Sequence, residues 1–124
     1  MYIFDSNILI YASQNEYSFL RNLFGNNHHS VSLISYLEVV GYHKLLPDEK
    51  HFYAELFKLL IVESITTETI QIATNLRQQK KMSIGDSIIA ATALQHNLIL
   101  VTRNTIDFSW IENIKLQNPF TENV

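Results

Sequence analysis

Residues 98–107 read LILVTRNTID. The apolar run stops at Thr102, and Arg103, Asn104 and Asp107 follow at once. A short apolar run bounded by polar residues reads as a buried strand. The chain opens in the same way, with YIF at 2–4 giving way in one step to Asp5 and Asn7. Two buried strands that each end in a carboxylate point to one sheet with an acidic edge, and the rest of the chain is read outward from them.

After the first strand, Ser6 or Asn7 caps a helix to about Ala12. A second helical piece over roughly 16–24 carries Phe19, Leu20, Leu23 and Phe24 at helical spacing. A turn at 25–30 leads to a short strand, VSL at 31–33. From Ile34 a helix aligns Ile34, Leu37, Val40, Gly41 and Leu45 along one stripe. Pro47, Asp48 and Glu49 suit the first turn of another helix, whose buried stripe is Phe52, Leu56, Leu59 and Leu60. IVESI (61–65) is a third strand, Thr66 or Thr67 begins a helix to about Gln79, and 84–96 form the next. Residues 98–102 make the fourth strand and IKLQ (114–117) a fifth. Apolar strands alternating with helices predict an α/β fold, a three-layer α/β/α sandwich with a central parallel sheet of four to five strands.

The bulk properties agree with one domain over residues 1–124. The 124 residues are 47% apolar and 17% charged, with no cysteine. That balance excludes wholesale disorder, disulfide scaffolds and thiolate metal sites. No run approaches the roughly 18 apolar residues of a membrane span, and Asp5 interrupts the apolar start, so neither a membrane anchor nor a signal peptide is expected. A cytoplasmic location is expected instead. The formal charge is −3, whereas proteins that hold nucleic acid by bulk charge are basic. A nucleic-acid partner therefore requires something to reconcile phosphate with the acids.

Those acids converge. Asp5 ends strand 1, Glu38 lies early in the helix after strand 2, and Asp107 lies just past strand 4. Asp86 starts a helix that feeds strand 4 through a very short connection near Asn97. The helix must run antiparallel to that strand, which returns Asp86 to the strand's carboxyl end. Right-handed crossovers place strand 1 centrally between strands 2 and 4, and ligands of such sheets bind at this edge. Each acid also has an ordinary reading. Ser35 with Glu38 and Ser83 with Asp86 match a capping pattern, Asn104 with Asp107 matches it loosely, and Asp5 is placed to cap the first helix. Glu38 falls about 40° from Ile34 and about 20° from Leu45 on a helical wheel, which predicts partial burial. Four converging carboxylates repel one another unless a hard divalent cation joins them. Mg²⁺ or Mn²⁺ takes oxygen ligands, could hold a phosphodiester, and lowers the pKa of a bound water for in-line attack.

FDSNILIYA, ISYLEVVGY, MSIGDSIIAATAL and LVTRNTIDF, in that order and spacing, resemble the four signature segments of the PIN-domain family. Its VapC-type toxin ribonucleases of bacterial and archaeal toxin–antitoxin pairs resemble this chain most. The resemblance implies a PIN-like fold and a metal-dependent endoribonuclease. It makes Asp5, Glu38, Asp86 and Asp107 the catalytic acids and metal-site residues, with Asp5 and Asp86 as direct Mg²⁺ (or Mn²⁺) ligands. Asn7, Thr102 and Asn104 would support them by hydrogen bonds. Many family members carry an acid where this chain has Asn104, so the fourth carboxylate is either Asp107 acting through water or absent. The resemblance also implies a homodimer, an antitoxin partner that covers the site, and a structured RNA substrate such as tRNA or ribosomal RNA. Arg77, Lys80, Lys81 and Arg103 are the candidate RNA phosphate contacts.

Other residues carry less. His28 and His29 read as a surface loop, since adjacent histidines in a turn rarely share an ion. Trp110, Tyr11 and Tyr17 are placed to stack on bases or to fill the core. A receiver-type phosphoacceptor domain expects paired acids after strand 1 and an acceptor Asp after strand 3, which this chain lacks. The remaining alternative is a non-catalytic PIN-like module that binds RNA or protein.

Overall fold

The computed structural model describes residues 1–25 and 28–120, so the turn expected at 25–30 lies partly outside the described residues. Five short strands, β1 (Tyr2–Phe4), β2 (Ser30–Ser32), β3 (Ile61–Glu63), β4 (Ile99–Val101) and β5 (Lys115–Gln117), form one sheet in the order β3-β2-β1-β4-β5. Every pairing is parallel. The central position of β1 sets Phe4 beside Val31 on one side and Val101 on the other.

The helices are α1 (Ser6–Ala12), α2 (Leu33–Val40), α3 (Pro47–Leu59), α4 (Thr67–Gln79), α5 (Ile84–Gln95) and the short α6 (Thr105–Phe108). A 3-10 helix spans Asn15–Leu23. Successive strand residues point to opposite faces, and this divides the core in two. Phe4, Val31 and Val101 pack with α1, the 3-10 helix, α2 and α3 through Ile8, Leu20, Val39 and Tyr53. Ile3 and Leu100 pack on the other face with α4, α5 and α6 through Leu76, Ile89, Ala90 and Phe108. The fold is thus the expected three-layer sandwich. No helix among the described residues is long and apolar enough to cross a membrane.

The α5–β4 connection positions the site. Asn97 takes the left-handed conformation (φ 53°), and Leu98 N–H donates to Ala93 O at 2.9 Å. This closes the helix in a tight reversal. α5 therefore runs antiparallel to β4 and returns Asp86 to the carboxyl edge.

Some elements differ from their sequence pattern. α2 ends at Val40 with Gly41 as its C-cap, so Leu45 is not part of it. Its buried residues are Ser35 and Val39, while Leu37 is 65% exposed. Leu37 faces solvent because the Ser35 side is the one that meets α1, while Ile34 and Val40 are half-buried against the core on either flank. On α3 the buried residues are Tyr53 and Leu56, and Leu59 is exposed. β2 is not apolar throughout. Its serines are buried but bonded, Ser30 Oγ to Glu63 Oε1 at 3.2 Å, and Ser32 Oγ to the N–H of Ile34 at 3.1 Å. His28 is exposed as expected, but His29 is only 6% exposed. Its Nδ1 accepts from the Tyr2 N–H at 3.1 Å and its ring stacks on Tyr2. This histidine finishes the amino edge of the sheet rather than standing in a surface loop.

Candidate functional site

Asp5 occupies the step between β1 and α1. Its backbone is extended (φ −61°, ψ 147°), and it makes no side-chain cap to the helix. Its carboxylate instead accepts from Thr102 Oγ1 at 2.9 Å, and Thr102 Oγ1 accepts from the Asn104 N–H at 3.0 Å. The polar end of β4 is thus tied to the polar end of β1. Asp5 is 3% exposed. Burial pushes its pKa from 3.8 to about 6, the Thr102 hydroxyl opposes this, and Asp86 and Glu38 add to it.

Glu38 is exposed rather than partly buried, because α2 ends at Val40 and Leu45, the apolar neighbour expected beside it, is not on the helix. It is nevertheless held. Ser6 Oγ donates to Glu38 Oε1 at 2.7 Å and lies 2.8 Å from Ser35 Oγ. Its other oxygen rests against Gly85, where a Cβ would stand 2.6 Å from Glu38 Oε2. The capping role for Ser35 is excluded, since the N-cap of α2 is Ser32. Ser6 escaped the sequence reading as a support for Glu38. The contact joins residues 32 positions apart, and only the serine directly after Asp5 hinted at it.

Asp86 is half-buried in the first turn of α5. The capping reading holds in part, for Ser83 Oγ accepts from the Asp86 N–H at 3.0 Å. Burial raises the Asp86 pKa, Ser83 lowers it, and Glu38 and Asp107 raise it further. Asp107 is exposed on α6, and its backbone oxygen accepts from Trp110 Nε1 at 2.9 Å. Mutual repulsion thus links all four acids, with Asp86 between the Asp5–Glu38 pair and Asp107.

No basic side chain among the described residues forms an ion pair with them. Among the described residues the ion pairs are Lys58–Glu55 at 3.3 Å and His96–Glu63 at 3.2 Å, both elsewhere. Nor do any three acidic or histidine side chains among the described residues stand as a ready cage for an ion. The acids share an edge without sharing one coordination sphere. Of the supporting residues, Thr102 bonds to Asp5 as expected, and Asn104 contributes its backbone N–H. Asn7 is exposed on α1, and its side chain forms no hydrogen bond to these acids among the described residues.

The basic residues fall in two places. Arg77, Lys80 and Lys81 line a groove of about 590 Å³ together with Asp86 and Asp107. Arg77 Nε donates to Met82 O at 3.1 Å, which closes the α4–α5 turn. Arg103 stacks over Phe120 at 4.2 Å and Tyr11 at 5.2 Å from the ring centres. Tyr11 and Tyr17 thus belong to an aromatic cluster around Phe120.

No curated protein matches the sequence. Solved structures do. A chain of a toxin–antitoxin complex from Klebsiella pneumoniae is 30% identical, with TM-score 0.76, over 96% of this chain and 98% of that one. A chain of VapBC2 from Rickettsia felis, solved with a DNA fragment from its promoter, is 25% identical with TM-score 0.78, over 94% and 97%. A chain of FitAcB from Neisseria gonorrhoeae is 22% identical with TM-score 0.77 over 98% and 99%, a likeness of fold alone. The signature of the family described as PIN domain matches residues 2–112. With that match spanning both ends of the acidic edge, the chain belongs to the PIN domain family.

Proposed function

We propose that this protein is a metal-dependent endoribonuclease that hydrolyses RNA phosphodiester bonds, acting in the cytoplasm as the toxin of a toxin–antitoxin pair. The observation that carries this reading is the unneutralised acid group at the carboxyl edge of a PIN fold. A buried carboxylate without a counter-charge is costly, and Asp5 is buried with two further acids close enough to raise its pKa.

The donor set fits a hard divalent cation. All the candidate ligands are carboxylate oxygens, which suit Mg²⁺ or Mn²⁺. Asp5 and Asp86 would hold the ion, with Glu38 beside them and Asp107 at longer reach. When bound, such an ion supplies Lewis-acid polarisation of the phosphodiester and a lowered pKa for attacking water. The chain's own residues do the positioning. Thr102 fixes the rotamer of Asp5, Ser6 fixes Glu38, and Ser83 anchors the backbone of Asp86. Arg77, Lys80, Lys81 and Arg103 are the RNA phosphate contacts that offset the net acidity.

An antitoxin partner is supported by the similar chains that come from toxin–antitoxin complexes. It is also supported by Leu33, Tyr36 and Leu37, an exposed apolar face of α2 next to Glu38. A partner seated there covers the acidic edge. A homodimer completes the proposal. A second reading, a non-catalytic binding module, is favoured by the lack of a ready ion cage and by Asn104.

The test is cleavage of mixed cellular RNA by purified protein freed of any partner, with Mg²⁺, Mn²⁺ or EDTA, beside the Asp5→Asn/Asp86→Asn double variant. Metal-dependent cutting that the double variant lacks supports the nuclease. A folded, partner-free protein that cuts under no metal supports the binding module.

A further inference from the structure

β5 ends at Gln117, and Asn118, Pro119 and Phe120 follow it. The match to the PIN family stops at residue 112, so β5 and this strap lie beyond it. Proline has no N–H to extend a ladder, and the chain leaves the sheet at Pro119. Phe120 then sets its ring among Tyr11 of α1 and Tyr17 and Phe19 of the 3-10 helix. Their centroids lie 5.2, 5.7 and 5.6 Å away, with the planes crossed edge to face. The strap therefore runs from the β5 edge of the sheet, past the end of β4, to the layer of α1.

What it passes is the corner that holds Asp5. β4 stops at Val101. Thr102, which donates to Asp5, keeps one last ladder bond, from its N–H to Gln117 O at 3.0 Å. Arg103 is exposed, so burial does not fix its place, and the strap fixes it instead. Asn118 Nδ2 donates to Arg103 O at 3.3 Å, and Asn118 Oδ1 accepts from the Phe120 N–H at 2.9 Å. The Arg103 guanidinium lies 4.2 Å from the ring centre of Phe120 and 5.2 Å from that of Tyr11. A guanidinium stacks on an aromatic face and is attracted by its quadrupole. Tyr11 belongs to the helix that begins just after Asp5. The contacts thus close a ring that runs from Asp5 along α1 to Tyr11, across to Arg103, and through Thr102 back to Asp5. Phe120 touches two of its members, Tyr11 and Arg103.

We propose that Phe120 is a positioning residue for the acidic edge: through its ring contact with Arg103 it holds Thr102 in place against Asp5. The aromatic face is what matters, since a merely apolar side chain fills the same space without attracting the guanidinium. Asn118 serves the same end from the backbone side, by tying the strap to Arg103 O. The catalytic consequence rests on the nuclease reading above, and the geometric consequence stands without it.

The test uses the full chain with Phe120→Leu, which keeps the apolar bulk and loses the aromatic face, and Phe120→Tyr, which keeps the face. The Asn104 N–H reports on the corner, because it donates to the same Thr102 hydroxyl that holds Asp5. In EDTA its hydrogen exchange is expected to quicken roughly fivefold in Phe120→Leu and to return to the wild-type rate in Phe120→Tyr. Exchange of the Ile61 N–H, bonded to His29 O at the opposite edge, is expected to stay unchanged. In an Arg103→Ala background, Phe120→Leu is expected to add nothing further. Cleavage of RNA in Mg²⁺ is expected to lose roughly fivefold in kcat in Phe120→Leu, at unchanged KM. Asn118→Ala, which leaves every ring in place, is expected to move exchange and kcat in the same direction. Unchanged Asn104 exchange in both Phe120→Leu and Asn118→Ala overturns the proposal. Equal quickening at Ile61 also overturns it, since the loss is then one of global stability. So does an effect of Phe120→Leu that persists without Arg103, or a rise in KM with kcat unchanged, which would make Phe120 a support for RNA contact. The expected exchange pattern in a wild-type protein that cuts no RNA overturns the nuclease reading alone.

Discussion

The two edges of the sheet are built to opposite rules. At the amino edge the buried titratable group is His29, kept neutral by burial and used as an acceptor for the Tyr2 N–H. Ile61 N–H donates to His29 O at 2.9 Å, and further along the same edge Lys115 Nζ donates to Asn97 Oδ1 at 3.1 Å. At the carboxyl edge the buried titratable group is Asp5, surrounded by other acids and paired with no cation among the described residues. One edge closes the fold and the other withholds a counter-charge from it. The same backbone supports both because β1 is central and contributes a residue to each.

The comparison breaks most sharply at Asp5. Asp5→Asn keeps the acceptor for Thr102 but removes the charge. RNA cleavage is expected to fall by more than the roughly 10–100-fold typical of residues that merely support a metal ligand. Stability of the metal-free protein is expected to move the other way. Below pH 3.8 both folded and unfolded Asp5 are protonated, so it carries no penalty. As the pH rises from there to about 6, the unfolded chain loses its proton first and wild-type stability falls. Above that range the full penalty of about 3 kcal/mol remains, and Asp5→Asn lacks it. Denaturant titrations of both proteins in EDTA from pH 4 to pH 8 measure the difference; a difference that is flat with pH would remove the ionic account of this edge. Added Mg²⁺ or Mn²⁺ is expected to stabilise the wild type and not the variant.

Thr102→Val tests the same edge without touching a carboxylate. It deletes the donor to Asp5 and the acceptor for Asn104 N–H, and leaves both groups short of a partner. A loss of roughly 10–100-fold in cleavage is expected, together with about 1–3 kcal/mol of stability. Thr102→Ser restores both. His29→Leu is the control at the opposite edge. It orphans the Tyr2 N–H and should also remove about 1–3 kcal/mol by denaturant midpoint, with cleavage at matched folded fraction unchanged. Loss of activity in that variant at full folding would show that the two edges are not independent.

What could be read in advance, and what could not, follows a physical division. Apolar runs that end in Asp5 and Thr102, and a helix-to-strand connection too short to cross the sheet, carried the strand order and the placement of Asp86. Those are local signals acting through chain connectivity. The orientation of α2 was not local. Leu37 and Ser35 lie on different sides of one helix, and hydrophobic periodicity predicts that the leucine is buried. The Ser6–Ser35–Glu38 contact decides otherwise, and it joins segments about thirty residues apart. His29 departs from the surface loop its sequence suggests for the same reason, since its partner Tyr2 is 27 positions away. α6, a helix of only 4 residues, has too short a period to register.

Gly85→Ala sharpens the comparison with the smallest change. Gly85 sits in the first turn of α5 with no positive φ, so its backbone does not need glycine. Alanine there should stabilise the helix by up to about 0.5–1 kcal/mol. The added Cβ would, however, stand 2.6 Å from Glu38 Oε2, and the carboxylate is the part free to give way. Moving it strains the Ser6 bond and draws Glu38 from its place beside Asp86. A rise in unfolding midpoint with a several-fold fall in cleavage is therefore expected. If both rise together, Glu38 works equally well displaced, and the contact with α5 is packing alone. If stability rises while cleavage falls, the glycine holds open the space that keeps Glu38 next to Asp86. The carboxyl edge then gives up helix stability for the placement of a charge, which the amino edge nowhere does.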